Sequence, residues 1–325
     1  MANNEYLSMQ KADLHIHLNG AIPSDVIRDL LIQHNISIPE EYDVNYDLQI
    51  LEPVDSLQSY FKPWFLIKQL PVGQECLNKM VEAAFPPLKR DNVKYVEFRN
   101  SPFNIGEIND ISLEETLLWI IEALEINSST YGIKARLIVS LSRYNFQMEK
   151  SRDLLRAIKK VNTKQLIVGL DLSGDEKQAI PVEASSLFRA AKDDLGLGIT
   201  IHTGEIDNKK NFEWVLDHCQ PDRIGHGLSA ANSPKILEKI KNNNICIETC
   251  LYSNHRTGSI ENISKHPVQK FIEWEIPFIL CTDNPAIHNA TLSDEYSLFN
   301  KEFSRMDILK NMINVQTKYA FGFND

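Results

Sequence analysis

A regular alternation of two kinds of segment constrains the fold of this chain more than any other feature. From Leu77 onward, short apolar and β-branched stretches, which favour strands, alternate with amphipathic stretches of helical period. The predicted strands lie at 93–98, 135–141, 166–172, 197–202, 223–226, 245–248 and 277–282. The predicted helices between them lie at 112–126, 150–161, 181–194, 212–218, 234–242 and 265–273.

The stretch 11–20 adds a first strand, so eight predicted strands alternate with helices along the chain. This order predicts a parallel sheet closed into a (β/α)8 TIM barrel, with an open, doubly wound α/β sheet as the alternative. The segment 35–71 interrupts the alternation after the first strand and helix and indicates a helical insertion. A helical tail is predicted from about Ser293 onward. We therefore expect one domain spanning residues 1–325.

The composition limits the kinds of partner. The chain has 325 residues, of which 43% are hydrophobic and 24% charged, and no apolar run long enough to span a membrane. Its net charge of −10 disfavours nucleic acid and anionic membranes, which need a basic surface, so we expect a small-molecule ligand. The five cysteines include no Cys-x-x-Cys pair, and residues 1–6 lack the pattern of a signal peptide. A cytoplasmic location is therefore expected.

Two histidines one residue apart, His15 and His17, stand in the first predicted strand. Alternate side chains of a strand share a face, which places these imidazoles roughly 6.5 Å apart along the backbone. Two imidazoles in this position can bind one metal ion, with each nitrogen about 2.0 to 2.1 Å from it. An isolated pair is more often a polar strand edge, so partners elsewhere in the chain must decide between these interpretations.

Such partners fall where other predicted strands end. The carboxyl ends of all strands of a barrel meet at one mouth, and His202 ends the fifth strand while Asp283 follows the eighth. With His15 and His17 they would supply three imidazoles and one carboxylate to a single ion. This donor set is typical of a hydrolytic zinc site, and we predict one bound Zn²⁺ per chain.

Two further residues at the same mouth could move protons. Glu205 lies three residues beyond His202, and a carboxyl group in a desolvated site can act as a proton donor or acceptor. If no metal ligands lay nearby, the simpler interpretation of Glu205 would be a carboxylate at the start of a helix that accepts hydrogen bonds from backbone amides. His226 stands between two glycines that permit close approach of a ligand, and it could take a proton from a metal-bound water and orient that water.

Five motifs resemble, in the same order, the signature motifs of the adenosine deaminase family. They are His15-x-His17-Leu-Asn-Gly, Gly169-Leu-Asp-Leu-Ser-Gly174-Asp175-Glu, His202-Thr-Gly-Glu205, Arg223-Ile-Gly-His226-Gly and Thr282-Asp283-Asn-Pro285. They extend over residues 13–285 at barrel-like spacing. The family fold is the same (β/α)8 barrel that the alternation predicts.

The resemblance implies a role for each matching residue. His15, His17, His202 and Asp283 would bind a single zinc ion. Glu205 would protonate the purine ring nitrogen beside the carbon under attack. His226 would orient and deprotonate the zinc-bound water, with Asp283 also counted among the catalytic residues. Substrate contacts are implied for His17, Asn19, Gly174 and Asn284, with the backbone of Gly174 meeting a ring nitrogen.

Asn19 and Asn284 stand where nucleoside deaminases of the family usually have aspartates. Loss of a carboxylate at position 19 removes a charge that would repel a 5′-phosphate, and the Asn form resembles the deaminases of 6-methylamino-AMP. The predicted activity is therefore zinc-dependent hydrolytic deamination of a 6-aminopurine nucleoside, with adenosine or deoxyadenosine giving inosine or deoxyinosine and ammonia. The alternatives are 6-methylamino-AMP, another nucleotide, a free base such as adenine, or a barrel that binds purines without turnover.

The remaining expectations concern residues outside these motifs. The aromatic stretch 60–65 is expected to form a lid over the site, although ordinary core packing would explain its aromatic residues equally well. His34, His218 and His266, on or beside predicted helices, are expected at the surface. A cytidine-type zinc deaminase is excluded because that class needs a Cys-x-x-Cys pair.

Overall fold

Eight parallel strands form the centre of the computed structural model, which describes residues 4–55, 57–144 and 146–323. The strands are β1 (Lys11–His17), β2 (Val93–Asn100), β3 (Lys134–Ser142), β4 (Ile167–Ser173), β5 (Gly198–Thr203), β6 (Arg223–His226), β7 (Cys246–Thr249) and β8 (Phe278–Leu280). Each strand pairs in parallel with the next along the chain. At the seam, the N–H of Asp283 donates to the His15 carbonyl and the N–H of His17 donates to the Asp283 carbonyl, both at 2.8 Å. These bonds nearly close the sheet, and the predicted (β/α)8 barrel is confirmed.

The strands are buried on both faces, which explains why their sequences are almost continuously apolar. In β5, Ile199 and Ile201 belong to the hydrophobic core between barrel and helices. The alternate residues Thr200 and His202 instead contact polar groups of other strands inside the barrel. The period of two therefore places the chemistry of this strand on its inner face.

Helices surround the barrel and form both predicted additions. The α-helices are α1 (Asn4–Ser8), α2 (Ser24–Gln33), α3 (Leu57–Tyr60), α4 (Lys62–Ile67), α5 (Gly73–Arg90), α6 (Pro102–Asn109), α7 (Leu113–Tyr131), α8 (Met148–Val161), α9 (Ser185–Leu195), α10 (Lys209–Trp214), α11 (Pro234–Asn242), α12 (Leu251–Arg256), α13 (Val268–Glu273), α14 (Pro285–His288), α15 (Leu292–Phe303) and α16 (Met306–Tyr319). Helices α3 and α4 lie in the insertion, and α15 and α16 form the tail. No helix within the described ranges is both long and apolar enough to cross a membrane.

A separate small hydrophobic core joins the insertion to the helices beside it. Leu30 of α2, Leu66 of α4 and Met80 of α5 belong to this core, and Ile287 of α14 joins it from the region after β8. Because α14 begins directly after the mouth of the barrel, this packing holds the insertion beside the carboxyl ends of the strands.

The structure differs from the sequence prediction where local chemistry interrupts a helix or strand. The predicted helix 265–273 begins only at Val268, because His266 precedes a proline and takes an extended backbone conformation. The expectation that His266 lies at the surface is wrong, since its side chain is buried with a residue exposure of 1%. The strand predicted at 277–282 ends at Leu280, ahead of Asp283, which has a φ of 61° and bonds to β1.

The segment after α16 fills the end of the barrel opposite the carboxyl ends of the strands. The Phe321 ring lies 3.8 Å from the guanidinium of Arg223, and the Phe321 N–H donates to Glu97 at 2.6 Å. A Cβ atom on Gly169 would lie 2.8 Å from this ring, and a Cβ atom on Gly198 would overlap it. The two glycines therefore make room for an aromatic plug at the barrel floor.

Candidate active site

The predicted metal-binding side chains meet at the mouth formed by the carboxyl ends of the strands. His15 and His17 lie near the carboxyl end of β1, His202 lies near the end of β5, and Asp283 follows β8. His15, His202 and Asp283 are buried, while the His17 side chain is 18% exposed. The barrel therefore brings together four residues that are up to 268 positions apart in sequence.

The donor atoms of this cluster lie at nearly equal separations. His17 Nε2 is 3.2 Å from His202 Nε2 and 3.3 Å from Asp283 Oδ1, and His15 Nε2 is 3.4 Å from the same oxygen. Ligand atoms about 2.0 to 2.1 Å from one ion at tetrahedral angles are about 3.3 Å apart from each other. These three distances therefore fit ligand atoms around a single small divalent ion.

Two buried carboxylates orient the histidine rings. Glu248 accepts a hydrogen bond from His15 Nδ1 at 2.7 Å, and Asp171 accepts one from His202 Nδ1 at 2.9 Å. With the Nδ1 atoms protonated in this way, both Nε2 lone pairs point into the cluster. Among the described residues, His15 Nε2 is buried without a hydrogen-bond partner. A buried imidazole nitrogen that no protein group satisfies fits a metal ligand.

The protonation states of Asp283 and His17 also favour the binding of a cation. Burial alone would raise the pKa of the Asp283 carboxyl, but His15 and His17 hold that pKa well below its usual range. Burial lowers the pKa of His17 to about 3. Asp283 is thus ionised and His17 neutral at pH 7, which are the protonation states that metal binding requires. The Ser253 hydroxyl donates to Asp283 Oδ2 at 2.5 Å and fixes the carboxylate plane.

Glu205 lies beside the cluster and carries a perturbed carboxyl group. Burial, with Asp283 and Glu176 nearby, raises its pKa to about 7, against an opposing effect of His202. Its backbone N–H donates to Glu176 Oε1 at 2.7 Å, directly after Gly204, whose φ is +89°. A carboxyl group with this pKa is present in both protonation states near neutral pH and can donate or accept a proton.

His226 ends β6 on the same side of the mouth. Its Nε2 lies 3.7 Å from Glu205 Oε1, and its ring centroid is 5.0 Å from that of His15 and 5.3 Å from that of His202. Ligand atoms of His15, His202, His226 and Asp283 all lie within 4.8 Å of one another. Distances alone therefore leave His226 as a possible ligand as well as a possible proton-transfer residue.

The predicted substrate-contacting residues surround the cluster. Asn19 follows β1 and accepts a hydrogen bond from Asn100 Nδ2 at 3.3 Å. Gly174 follows β4 with a φ of +96°, a backbone conformation that would strain a residue with a side chain. The buried Asn284 donates to the Tyr60 hydroxyl at 3.2 Å. The structure therefore places all three at the carboxyl ends of strands, and their contacts with a substrate stay a prediction.

The aromatic stretch 60–65 covers this mouth. Tyr60 is buried, and its hydroxyl is 3.3 Å from His288 Nε2. The Trp64 ring lies edge-on to His17 with 6.0 Å between the centroids. The stretch is therefore in contact with the cluster, as a closed lid would be. Its movement as a lid stays a prediction.

Sequence reasoning missed several polar residues of the barrel interior. Arg99 pairs with Glu248, and its Nη1 lies 3.3 Å from Asp171 Oδ1, so one guanidinium links the two carboxylates that orient the histidines. Burial alone would raise the pKa of Glu248, but Arg99 and Arg223 hold it well below its usual range. A signal for these residues exists in the sequence, because a charged residue inside an apolar strand must find a buried partner.

Comparison with known proteins agrees with the fold. The family model described as adenosine deaminase matches residues 10–316. An adenosine deaminase of Clostridium acetobutylicum is 30% identical over 294 residues, covering 90% of this chain and 86% of the relative.

Two solved structures from Arabidopsis are also similar to this chain. ADAL in complex with IMP has a TM-score of 0.85 at 26% identity, covering 98% of this chain and 94% of that chain. The N6-mAMP deaminase MAPDA has the same TM-score and identity, covering 98% and 96%. The match to the family model over most of the chain confirms the resemblance, and the chain therefore belongs to the adenosine deaminase family, whose members are hydrolytic deaminases acting on purines.

Proposed function

We propose that this protein is a zinc-dependent hydrolase that deaminates a 6-aminopurine nucleoside, with adenosine and deoxyadenosine as the first candidates. The observation that carries the proposal is the position of Glu205. A carboxyl group with a pKa of about 7 lies beside a cluster of three imidazoles and one ionised carboxylate. This pairing of a proton donor with a hydrolytic metal site is what deamination of a purine ring needs.

His15, His17, His202 and Asp283 would hold the metal ion. When bound, zinc lowers the pKa of a bound water from about 15.7 to about 7, so that hydroxide is available at neutral pH. Three imidazoles and one carboxylate are donors that zinc accepts. The choice of zinc over another divalent ion rests on this donor set.

The protein side chains supply the remaining steps. Protonated Glu205 donates its proton to the ring nitrogen next to the amino-bearing carbon, which makes that carbon more electrophilic. His226 lies 3.7 Å from Glu205 and orients the attacking oxygen. Attack gives a tetrahedral centre, and the proton of its new hydroxyl group passes to the amino group, which leaves as ammonia. A 6-oxopurine nucleoside remains, with the proton from Glu205 on its ring nitrogen.

A 6-alkylamino purine nucleotide is the second candidate substrate. Position 19 carries a neutral amide, held by Asn100, in place of the carboxylate that would repel a 5′-phosphate. The 26% identical solved structures include an N6-mAMP deaminase and a complex with IMP. Both observations favour a nucleotide over a nucleoside, while the 30% identical relative is an adenosine deaminase.

A deamination panel separates these candidates. Purified protein would be assayed for ammonia release with adenosine, deoxyadenosine, AMP, 6-methylamino-AMP and adenine. We expect the highest kcat/KM with adenosine or deoxyadenosine, whereas a preference for 6-methylamino-AMP would replace the first candidate by the second. Metal analysis of the same preparation should give one zinc per chain, and a chelator should abolish activity.

Two results would overturn the proposal as a whole. Turnover that survives complete metal removal would exclude the metal-dependent reaction. Tight binding of purines without release of ammonia from any member of the panel would indicate a barrel that binds purines without turnover.

A further inference from the structure

His266 is a buried histidine outside the motifs that define the candidate site. It lies between β7 and β8 and is 1% exposed. Burial lowers its pKa to about 3, so the ring is neutral at pH 7. The backbone N–H of Val268 donates to its Nδ1 at 3.0 Å. A backbone N–H can only donate, so Nδ1 is the acceptor and the single proton of this ring is on Nε2.

This proton sets the orientation of a neighbouring amide. His266 Nε2 lies 3.1 Å from Asn254 Oδ1 and donates to it. The opposite orientation of the amide would place its NH₂ group against an N–H group, which leaves two donors facing each other in a buried place. The other end of the same amide, Asn254 Nδ2, lies 3.0 Å from His226 Nδ1. Since Nδ2 is a donor, His226 Nδ1 is the acceptor.

The chain of bonds therefore ends at the candidate active site. With Nδ1 of His226 accepting, the proton of its neutral ring is on Nε2, the atom that lies 3.7 Å from Glu205 Oε1. We propose that the Asn254–His266 pair is a positioning device that holds His226 in its Nε2–H tautomer, so that His226 donates a hydrogen bond to the attacking oxygen.

The inference rests on the proposed deamination and changes the role of one residue in it. A nitrogen that carries a proton has no lone pair for a metal ion, so His226 is not a fifth ligand although it lies within 4.8 Å of three of them. The same nitrogen cannot accept the proton of the attacking water. His226 instead orients that oxygen and stabilises negative charge that develops on it. This differs from the role of proton acceptor that the family resemblance implies.

Nuclear magnetic resonance of the histidine rings tests the tautomer directly. Protein purified with its metal would be labelled with ¹⁵N and ¹³C in histidine only, and long-range ¹⁵N–¹H ring spectra would show which nitrogen carries the proton. His226→Gln and His266→Gln assign the two signals by their disappearance. We expect the proton on Nε2 in both rings. A proton on Nδ1 of His226, or a cationic His226 ring at pH 7, would overturn the inference.

A matched pair of variants at one position tests the effect on the reaction. His266→Leu removes the donor to Asn254, whereas His266→Gln places an amide NH₂ group near the position of Nε2. We expect the leucine variant to lose about tenfold or more in kcat with little change in KM, and to show the His226 proton distributed over both nitrogens. The glutamine variant should recover most of the lost kcat.

Equal losses of kcat in both variants, with the His226 spectrum unchanged, would show a merely structural role and refute the proposal. The ring spectrum of the wild-type protein shows the tautomer of His226 even when a variant fails to fold. Absence of any deamination would count against the proposed function and leave the tautomer readable. Deamination by a protein with the proton on Nδ1 of His226 would refute only the positioning role.

Discussion

Glu248→Gln is the sharpest test of the idea that the barrel interior holds the metal-binding histidines in place. Oε2 of Glu248 accepts from His15 Nδ1 at 2.7 Å and also contacts Arg99. Oε1 accepts from the Thr200 hydroxyl at 2.9 Å and lies 2.7 Å from Arg223 Nε. Four donors thus converge on one fully buried carboxylate.

The size of the effect follows from this count. A glutamine has the same shape but one oxygen, one NH₂ group and no charge. Its NH₂ group would face either the donors His15 and Arg99 or the N–H of Arg223, and both arginines would lose their charged partner. Removing one partner of a buried charge pair costs about 3 to 5 kcal/mol, and we expect this loss in the free energy of unfolding. Loss of the acceptor behind a metal-binding histidine should also weaken metal affinity by about 10- to 100-fold.

Glu97→Gln is the matched control for this experiment. Glu97 is another fully buried carboxylate and lies 2.6 Å from Arg223, but it accepts from Tyr95 and the Phe321 backbone at the barrel floor. Its partners in the described part of the chain do not include His15. We expect both variants to lose stability in denaturant titrations and only Glu248→Gln to lose zinc affinity in titrations against a competing chelator. Equal zinc affinities in the two variants would refute the argument.

Three further predictions concern proton transfer, acid stability and the barrel floor. Glu205→Gln keeps the side-chain shape but cannot release a proton, so kcat should fall by about 10²- to 10⁴-fold, and wild-type turnover would exclude Glu205 from the reaction. The pKa of His266 is lowered to about 3 in the folded chain, against about 6.5 in an unfolded chain, so the unfolded chain binds an extra proton between these values. The free energy of unfolding should therefore fall on acidification below about pH 6.5, by about 1.4 kcal/mol per pH unit from this group, and urea titrations of His266→Gln should lack this contribution. Gly198→Ala would push a methyl group into the Phe321 ring and should cost about 1 to 3 kcal/mol of stability. An equal cost in a Phe321→Ala background would show that the two residues do not interact.

The barrel could be predicted from local pattern because each strand and helix carries its own signal. The apolar strands are buried on both faces, and the amphipathic period of the helices persists whatever surrounds them. Local signals failed where a single residue breaks an element. In the predicted helix 265–273, the residues before Pro267 are not α-helical, and the helix begins at Val268. His266, which precedes the proline, is buried and not exposed as expected.

The sequence by itself determined the fold class and the residue types of the site, because strand alternation places His15 and His17 on one face and the barrel rule places His202 and Asp283 at the same mouth. Only the tertiary structure decided which atoms face each other. Hydrogen-bond direction depends on partners that are distant in sequence, such as Glu248 behind His15 and the Asn254–His266 pair behind His226. These contacts form only when folding brings β7 and the segments after it close to β1 and β6. No local sequence pattern predicts them.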